Sequence, residues 1–463
     1  MRGSFSSFII IMVAYGSRSR GVDLDGGYLP LRVAFVHPDL GLGGAERLVV
    51  DAAQELATGS HKCKVQIYTS HHDENRCFEE TKALKPNGLQ RDFDVKVVGS
   101  WFPRQVGGRL VALCAIVRTL LCAAWVAWCT PFFTAEAPHV VFVDQVSAAV
   151  LPFVVANAFL PRDRRTRVVF YCHYPDLLLS SRELPGKGEG GGLVRALVHR
   201  LKLLYRIPLD WLEERTTGMA DEVLVNSEYT KGVFYATFAS LARRGTRATV
   251  VYPAVRIPPL GDGEDGEDGG RRTFLSINRY ERKKDIALAI RALAEVKSSS
   301  SSRRGRAGRP RLVVAGGYDE RLEENVEYHA YLVGLARELG LERDVTFVKS
   351  FTDGERAEML SGCCAVLYTP QNEHFGIVPL EAMAAGRPVV ACNSGGPLET
   401  VVDGETGFTC DPTPRAFSEA MMRIGAMGAG ELRAMGERAR RHVSSKFSRR
   451  AFGDRLHEIA LGG

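Results

Sequence analysis

Two carboxylates, Glu373 and Glu381, stand eight positions apart in TPQNEHFGIVPLEAMAA (369–385), between an apolar run at 365–368 and a helical pattern closing at Gly386. Gly376 suits a tight entry turn. Pro379 falls in the first helical turn, where amides have no partner within the helix and proline costs little. The free amides around Phe375, Gly376 and Ile377 would face negative charge or a dense set of hydroxyls, and in an open α/β sheet ligands bind at the carboxyl ends of the strands. At about 1.5 Å of rise per helical residue, Glu373 and Glu381 would bracket an elongated molecule with hydroxyls at both ends and phosphates between. That describes a nucleotide sugar. An isolated pair of this kind is more often two solvated side chains, so the reading depends on phosphate-binding groups elsewhere.

Such groups recur. The run 273–277 leads into NRYERKKD, where Arg279 and Lys284, two surface cations, would add to a helix dipole in holding a diphosphate. Gly316 and Gly317 follow the run 312–315, and NSGGPLE (393–399) follows the run 388–391; both would let backbone approach a ligand closely. Each alone is equally a plain solvated loop, but together, at the strand ends of one domain, they favour a site. In the first half, the run 31–36 opens onto HPDLGLGGAE and a helix from about Ala45. Gly41, Gly43 and Gly44 do not complete a GxGxxG frame, which leaves a plain turn and a phosphate or sugar contact both open. His173 ends the run 168–172, with Pro175 fixing the loop beyond it. Asn226 and Ser227, after 222–225, read as a helix cap.

To place these groups the chain alternates strand and helix patterns. Strands are expected at 31–36, 64–68, 95–98, 140–143, 168–172, 222–225 and 249–252, then at 273–277, 312–315, 345–348, 365–368 and 388–391. This is an α/β protein with parallel sheets covered on both faces. The acidic, glycine-rich stretch GDGEDGEDGGRR (261–272) cannot bury itself and marks a linker. The 463 residues, 45% hydrophobic and 25% charged, suffice for two full cores. The expected order is an N-terminal extension (1–30), a first domain (31–260), the linker (261–272), a second domain (273–440) and a helical tail (441–463).

The net charge of +6 is mild, and part of it lies in the Ser- and Arg-rich stretch 297–311, expected as an exposed loop insertion. That stretch has no aromatic residue to stack a base, so nucleic acid is not an expected partner. The ten cysteines form no CxxC pair and no metal-ligand spacing; they read as buried, reduced thiols, and no metal site is expected. No Asn stands in an Asn-x-Ser/Thr triplet, in keeping with a protein facing the cytosol. The apolar core at 8–15 is too short to span a bilayer, and the N-terminus reads as an unstructured or membrane-skimming extension.

Taken together, these residues resemble the retaining glycosyltransferases of the GT-B fold, two Rossmann-like domains facing across a cleft. The family's Glu-x7-Glu motif matches Glu373 and Glu381, its Arg/Lys pair matches Arg279 and Lys284, its glycine loop matches Gly43 and Gly44, and its cleft histidine matches His173. Within that family, VHPDLGLGGAERLVVDAA, YCHYPDLLL, IPLDWLEE, SINRYERKKDIALAI and NEHFGIVPLEAM are similar to the α-1,3/1,6-mannosyltransferases of dolichol-linked oligosaccharide assembly. The resemblance implies GDP-mannose as donor, a dolichyl-diphosphate-linked Man-GlcNAc2 acceptor extended first by α-1,3 and then by α-1,6 transfer, no cofactor, and action on the cytosolic face of the endoplasmic reticulum membrane. Association with other mannosyltransferases of the pathway goes with it. Glu373 with the Phe375, Gly376 and Ile377 amides would hold the donor mannose, Arg279 and Lys284 the diphosphate, Glu381 the ribose, and His173 the mannose and acceptor; Gly316 and Gly317 complete the donor site. A UDP-sugar donor, another lipid-linked acceptor, or a catalytically silent nucleotide-sugar-binding subunit are the alternatives.

The most apolar stretch, 110–133, is interrupted only by Arg118. A single span would put the strands on either side of it across a membrane from each other. The expectation is therefore a helix or re-entrant hairpin lying in the interface, Arg118 reaching the headgroups and Trp101, Trp125 and Trp128 near the polar boundary. A wholly buried helix is the alternative.

Overall fold

The structure is a computed structural model and describes residues 30–60, 62–83, 91–107, 110–130, 137–179, 193–258, 272–300 and 309–462. The N-terminal extension, most of the linker, the centre of the Ser/Arg insertion and residues 131–133 of the apolar stretch lie outside these. Two compact units divide the chain. One holds the described residues up to Asn226, Thr230–Tyr252 and the chain's end from Phe452; the other holds Ser227–Tyr229 and Pro253–Ala451.

The first unit is built on seven parallel strands: β1 (Arg32–His37), β2 (Lys64–Thr69), β3 (Asp94–Val97), β4 (Val140–Asp144), β5 (Arg167–Cys172), β6 (Glu222–Val225) and β7 (Ala248–Val250). Their order is β3-β2-β1-β4-β5-β6-β7. Most are short apolar runs buried along nearly their whole length, as a sheet covered on both faces requires. The returning helix Arg449–Leu461 is tied to this unit where Arg167 donates to the Ile459 carbonyl at 2.5 Å.

The second unit repeats the plan with β8 (Thr273–Ile277), β9 (Arg311–Gly316), β10 (Val345–Lys349), β11 (Ala365–Tyr368), β12 (Val389–Cys392) and β13 (Gly407–Cys410), in the order β10-β9-β8-β11-β12-β13. Helices Ile286–Ser300, Glu323–Glu338 and Pro414–Ala426 pack on this sheet around Tyr280, Leu332 and Phe417. In each unit the strand order reverses beside the first strand, and ligands of open α/β sheets bind at such a reversal. Helix Ile286–Ser300 runs into the Ser/Arg insertion, so residues 297–300 of the expected loop are helical. All ten cysteines are free thiols, eight of them buried.

The apolar stretch forms one continuous helix, Val111–Ala124, extended by a π-helical turn at Trp125–Cys129, with no hairpin among the described residues. It packs against β1, β2 and helix Leu151–Phe159. Arg118 does not reach outward as expected. It is buried, donates to the Ser70 carbonyl at 2.6 Å and lies 3.5 Å from Asp39. A lone guanidinium in an apolar run was therefore the sign of an internal partner. The other side of the helix stays open at Val111, Leu113 and Trp125, and Trp101 is exposed nearby in sequence.

Candidate active site

In the second unit the polar groups gather on the loops that leave β8, β11 and β12. Gly376 caps helix Ile377–Ala384 with φ +82°, and a side chain there would also press on the Tyr368 ring. Only glycine relieves both constraints. Pro379 sits buried in the first turn as expected, leaving the amides before it free of helical partners. The loop carrying Glu373 is held from behind: Gly396 N–H donates to the Glu373 carbonyl at 2.8 Å, and Asn372 N–H donates to Ser394 Oγ at 3.0 Å. A Cβ on Gly396 would overlap the Phe375 backbone, so NSGGPLE is a seat for the Glu373 loop.

Glu373 does not face outward alone. Its carboxylate contacts the Lys284 ammonium directly. Lys284 is placed by Thr369, whose hydroxyl donates to the Lys284 carbonyl at 2.7 Å from the end of β11, while Asp285 turns the chain with φ +43°. Only 13% of the Lys284 side chain is exposed, against 63% for Arg279, so the two expected surface cations differ: Arg279 is one and Lys284 is not. Arg279 is steadied by Glu281 at 2.8 Å.

Gly316 and Gly317 stand beside this loop, but their close approach is to the chain itself. A Cβ on Gly316 would overlap the Asn278 carbonyl, and Tyr280 N–H donates to the Gly317 carbonyl at 3.3 Å. Glu381, about one turn into its helix, pairs with Arg356 at 2.9 Å. Helix Asp353–Ser361, which carries Arg356, starts at a Thr352/Glu355 capping box. Burial raises the Glu381 pKa, and the Arg356 charge offsets part of that rise. Arg356 and Glu281 were not anticipated: Glu281 is a local partner two residues from Arg279, while Arg356 is brought to Glu381 from another element.

In the first unit, Gly43 caps helix Gly44–Thr58, and a Cβ on Gly44 would meet nothing within 4 Å. His173 lies just past β5. Its Nε2 is 2.8 Å from Asp144 Oδ1, and Asp144 Oδ2 is 2.8 Å from His37 Nδ1. The loop after His173 is pinned by Glu213, which accepts from the Asp176 and Leu177 amides at 2.7 and 3.0 Å, and by Asn226, whose amide donates to the His173 carbonyl at 3.0 Å. Asn226 thus serves the histidine loop. Asp144 and His37 were missed, although an aspartate ending the apolar strand VVFVD was a usable signal. Among the described residues no group of three or more His, Cys, Asp or Glu side chains is arranged to hold a metal ion.

Residues 262–442 match the model for "Glycosyl transferases group 1", and residues 42–257 the model for "Glycosyltransferase Family 4". The chain is 45% identical over 435 residues to the mouse "Alpha-1,3/1,6-mannosyltransferase ALG2", an alignment spanning 92% of this chain and 95% of the mouse protein. The chain belongs to the ALG2 family of α-1,3/1,6-mannosyltransferases. The human ALG2 protein is 43% identical, with 92% and 94% covered. Among solved structures, the sucrose-phosphate synthase of Thermosynechococcus elongatus superimposes with a TM-score of 0.63 at 18% identity, covering 93% of this chain and 98% of that one. That likeness shows the fold, which is GT-B. This ALG2-family chain is accordingly an enzyme, a mannosyltransferase.

Proposed function

We propose that this chain moves mannose from GDP-mannose to a dolichyl-diphosphate-linked Man-GlcNAc2 acceptor, α-1,3 and then α-1,6, with retention at the sugar carbon, on the cytosolic face of the endoplasmic reticulum. The observation that carries the reading is the Lys284–Glu373 contact at the strand ends beside the Gly376 turn. In the free protein each charge compensates the other. When donor binds, the diphosphate takes over Lys284 and the sugar hydroxyls take over Glu373, so neither group has to be desolvated afresh.

Each residue then has one task. Arg279 and Lys284 stabilise the charge growing on the leaving diphosphate and do the work of a bridging cation. Glu373 and the Phe375, Gly376 and Ile377 amides hold the mannose, Glu381 meets the ribose hydroxyls once Arg356 yields, and His173 orients the mannose and the acceptor. The bond from the sugar carbon to phosphate oxygen breaks while the bond to the acceptor oxygen forms on the same face, and the acceptor proton passes to the departing GDP. Stabilising charge at the leaving group is the largest contribution open to these side chains.

A lipid-linked acceptor also calls for a surface that tolerates lipid. Leu204, Ile207 and Trp211 are exposed on one side of helix Leu193–Thr217, and the Tyr205 hydroxyl accepts from the Leu113 amide at 3.0 Å, which brings exposed Val111 and Leu113 alongside. This apolar face is where the enzyme would rest on the membrane interface. Titrating the purified full chain with GDP-mannose tests the donor assignment: GDP should displace it and UDP should not. Equal displacement by UDP would favour a UDP-sugar donor.

A further inference from the structure

At the carboxyl edge of the first sheet, three strands adjacent in space but distant in sequence end in polar side chains. Val36 of β1 pairs with Val143 of β4, so the next residues, His37 and Asp144, come side by side. Asp144 in turn pairs with Tyr171 of β5, and His173, two residues on, returns to the same face. One buried carboxylate is thereby clasped by two imidazoles, one on each oxygen, both at 2.8 Å. Two N–H donors on one carboxylate require Asp144 to be ionised and fix Nδ1 as the donor of His37 and Nε2 as the donor of His173.

The two histidines are not equivalent. His37 is buried, and its Nε2 has no partner among the described residues. A second proton there would be an unsatisfied buried donor, which is costly. His173 keeps 24% of its side chain exposed, so a proton on its Nδ1 can meet solvent or a substrate oxygen. The counter-charge to Asp144 therefore belongs on His173.

We propose that Asp144, seated by His37, is a positioning residue that keeps His173 protonated, so that the sheet edge presents a cationic N–H donor, the His173 Nδ1–H, to the oxygens of the substrate. The assignment rests on the mannosyl-transfer reading only for what the donor is aimed at. The buried Asp144 carboxylate, 2.8 Å from the ring, favours the second proton on His173. Burial alone would lower the His173 pKa, but the Asp144 charge and hydrogen bond, with a smaller push from Glu46, raise it above the usual histidine value. Burial would raise Asp144, yet the two histidines hold it at about 2. The other groups here are Tyr171, whose ring lies 4.8 Å from His173 and which burial keeps neutral, the buried Cys172 thiol, likewise kept neutral, and Glu213, pushed up by burial to about 7. Glu213 titrates in the same range, so a control for it is needed.

The experiment is a 13C titration of the histidine rings in the full chain, the His173 signal being assigned by its loss in His173→Gln, paired with pH profiles of mannosyl transfer. In wild type the ring should titrate above the usual value of about 6.5. Asp144→Asn should move that titration down, since the Asp144 charge and hydrogen bond are what raise it. It should also carry the alkaline limb of kcat with it and lower kcat roughly 10- to 100-fold, with donor KM changed little. His37→Asn, which keeps a donor near Nδ1, should leave the limb in place, and Glu213→Gln should not move the ring titration. A wild-type His173 that titrates below 6.5 overturns the proposal even if Asp144→Asn fails to fold. So does an Asp144→Asn protein with an unshifted ring. A shifted ring with no mannosyl transfer from any variant would count against the transfer reading and leave the clasp standing.

Discussion

The Lys284 ammonium touches the Glu373 carboxylate across 89 positions of sequence, joining the loop after β8 to the loop after β11. Both side chains are largely buried, 13% and 21% exposed, so the pair is a structural tie as well as a donor contact. Lys284→Ala is expected to lower thermal stability, by about 1–3 kcal/mol for the charge left unpaired. Arg279→Ala, removing a side chain 63% exposed, should leave stability unchanged. Both should depress kcat and weaken donor binding. A Lys284→Ala/Glu373→Ala double variant should recover part of the lost stability, read from a double-mutant cycle of unfolding free energies. Strict additivity would mean the contact contributes nothing.

Two glycines separate packing from ligand approach. Gly396→Ala should be destabilised and bind donor poorly, because its Cβ would overlap the Phe375 backbone under the Glu373 loop. Gly44→Ala meets nothing within 4 Å at a helix start, so its melting temperature should hold or rise slightly. If transfer by Gly44→Ala falls while its stability holds, the glycine loop approaches a substrate; unchanged kcat/KM makes it a plain turn.

Much of this arrangement can be read from the sequence. Most of the first twelve strands are apolar runs closed by turn residues, and the Gly376 entry, the buried Pro379 and the placing of His173 past β5 all follow from local pattern. β13 does not, because it opens on Gly407 and its second half, Thr409 and Cys410, is only partly buried, which blurs the apolar signal. The partners of the site residues are harder still. Lys284 with Glu373, Arg356 with Glu381 and Asp144 with His37 are brought together by the order of strands in the sheet, which no local periodicity encodes. Arg118 failed as a headgroup anchor for the same reason: Ser70 and Asp39 come from other loops.

Stability should depend on pH through the Asp144–His173 pair. Asp144 falls from 3.8 to about 2 on folding, so its contribution, on the order of 2 kcal/mol, is present above about pH 4 and lost as the pH drops through the folded value. His173 is raised above 6.5, so its contribution is complete below 6.5 and lost as the pH rises through the folded value. Thermal unfolding across pH 3–9 should show Asp144→Asn falling furthest behind wild type between about pH 4 and 6.5. A constant difference at all pH values would remove the ionic contribution.

The apolar face gives a physical test independent of chemistry. Leu204→Glu/Ile207→Glu/Trp211→Glu changes only exposed side chains, so folding should be preserved. Wild type should float with phospholipid vesicles in a density gradient and the triple variant should stay behind. Equal flotation would move the membrane contact elsewhere.

The decisive measurement is incubation of the purified full chain with radiolabelled GDP-mannose and a dolichyl-diphosphate-linked Man-GlcNAc2, with the products resolved by linkage. Mannose should be added α-1,3 and then α-1,6, with both additions abolished by Glu373→Gln because they share one donor site. Label transferred from a UDP-sugar instead, or both linkages persisting in Glu373→Gln, would contradict the proposed transfer.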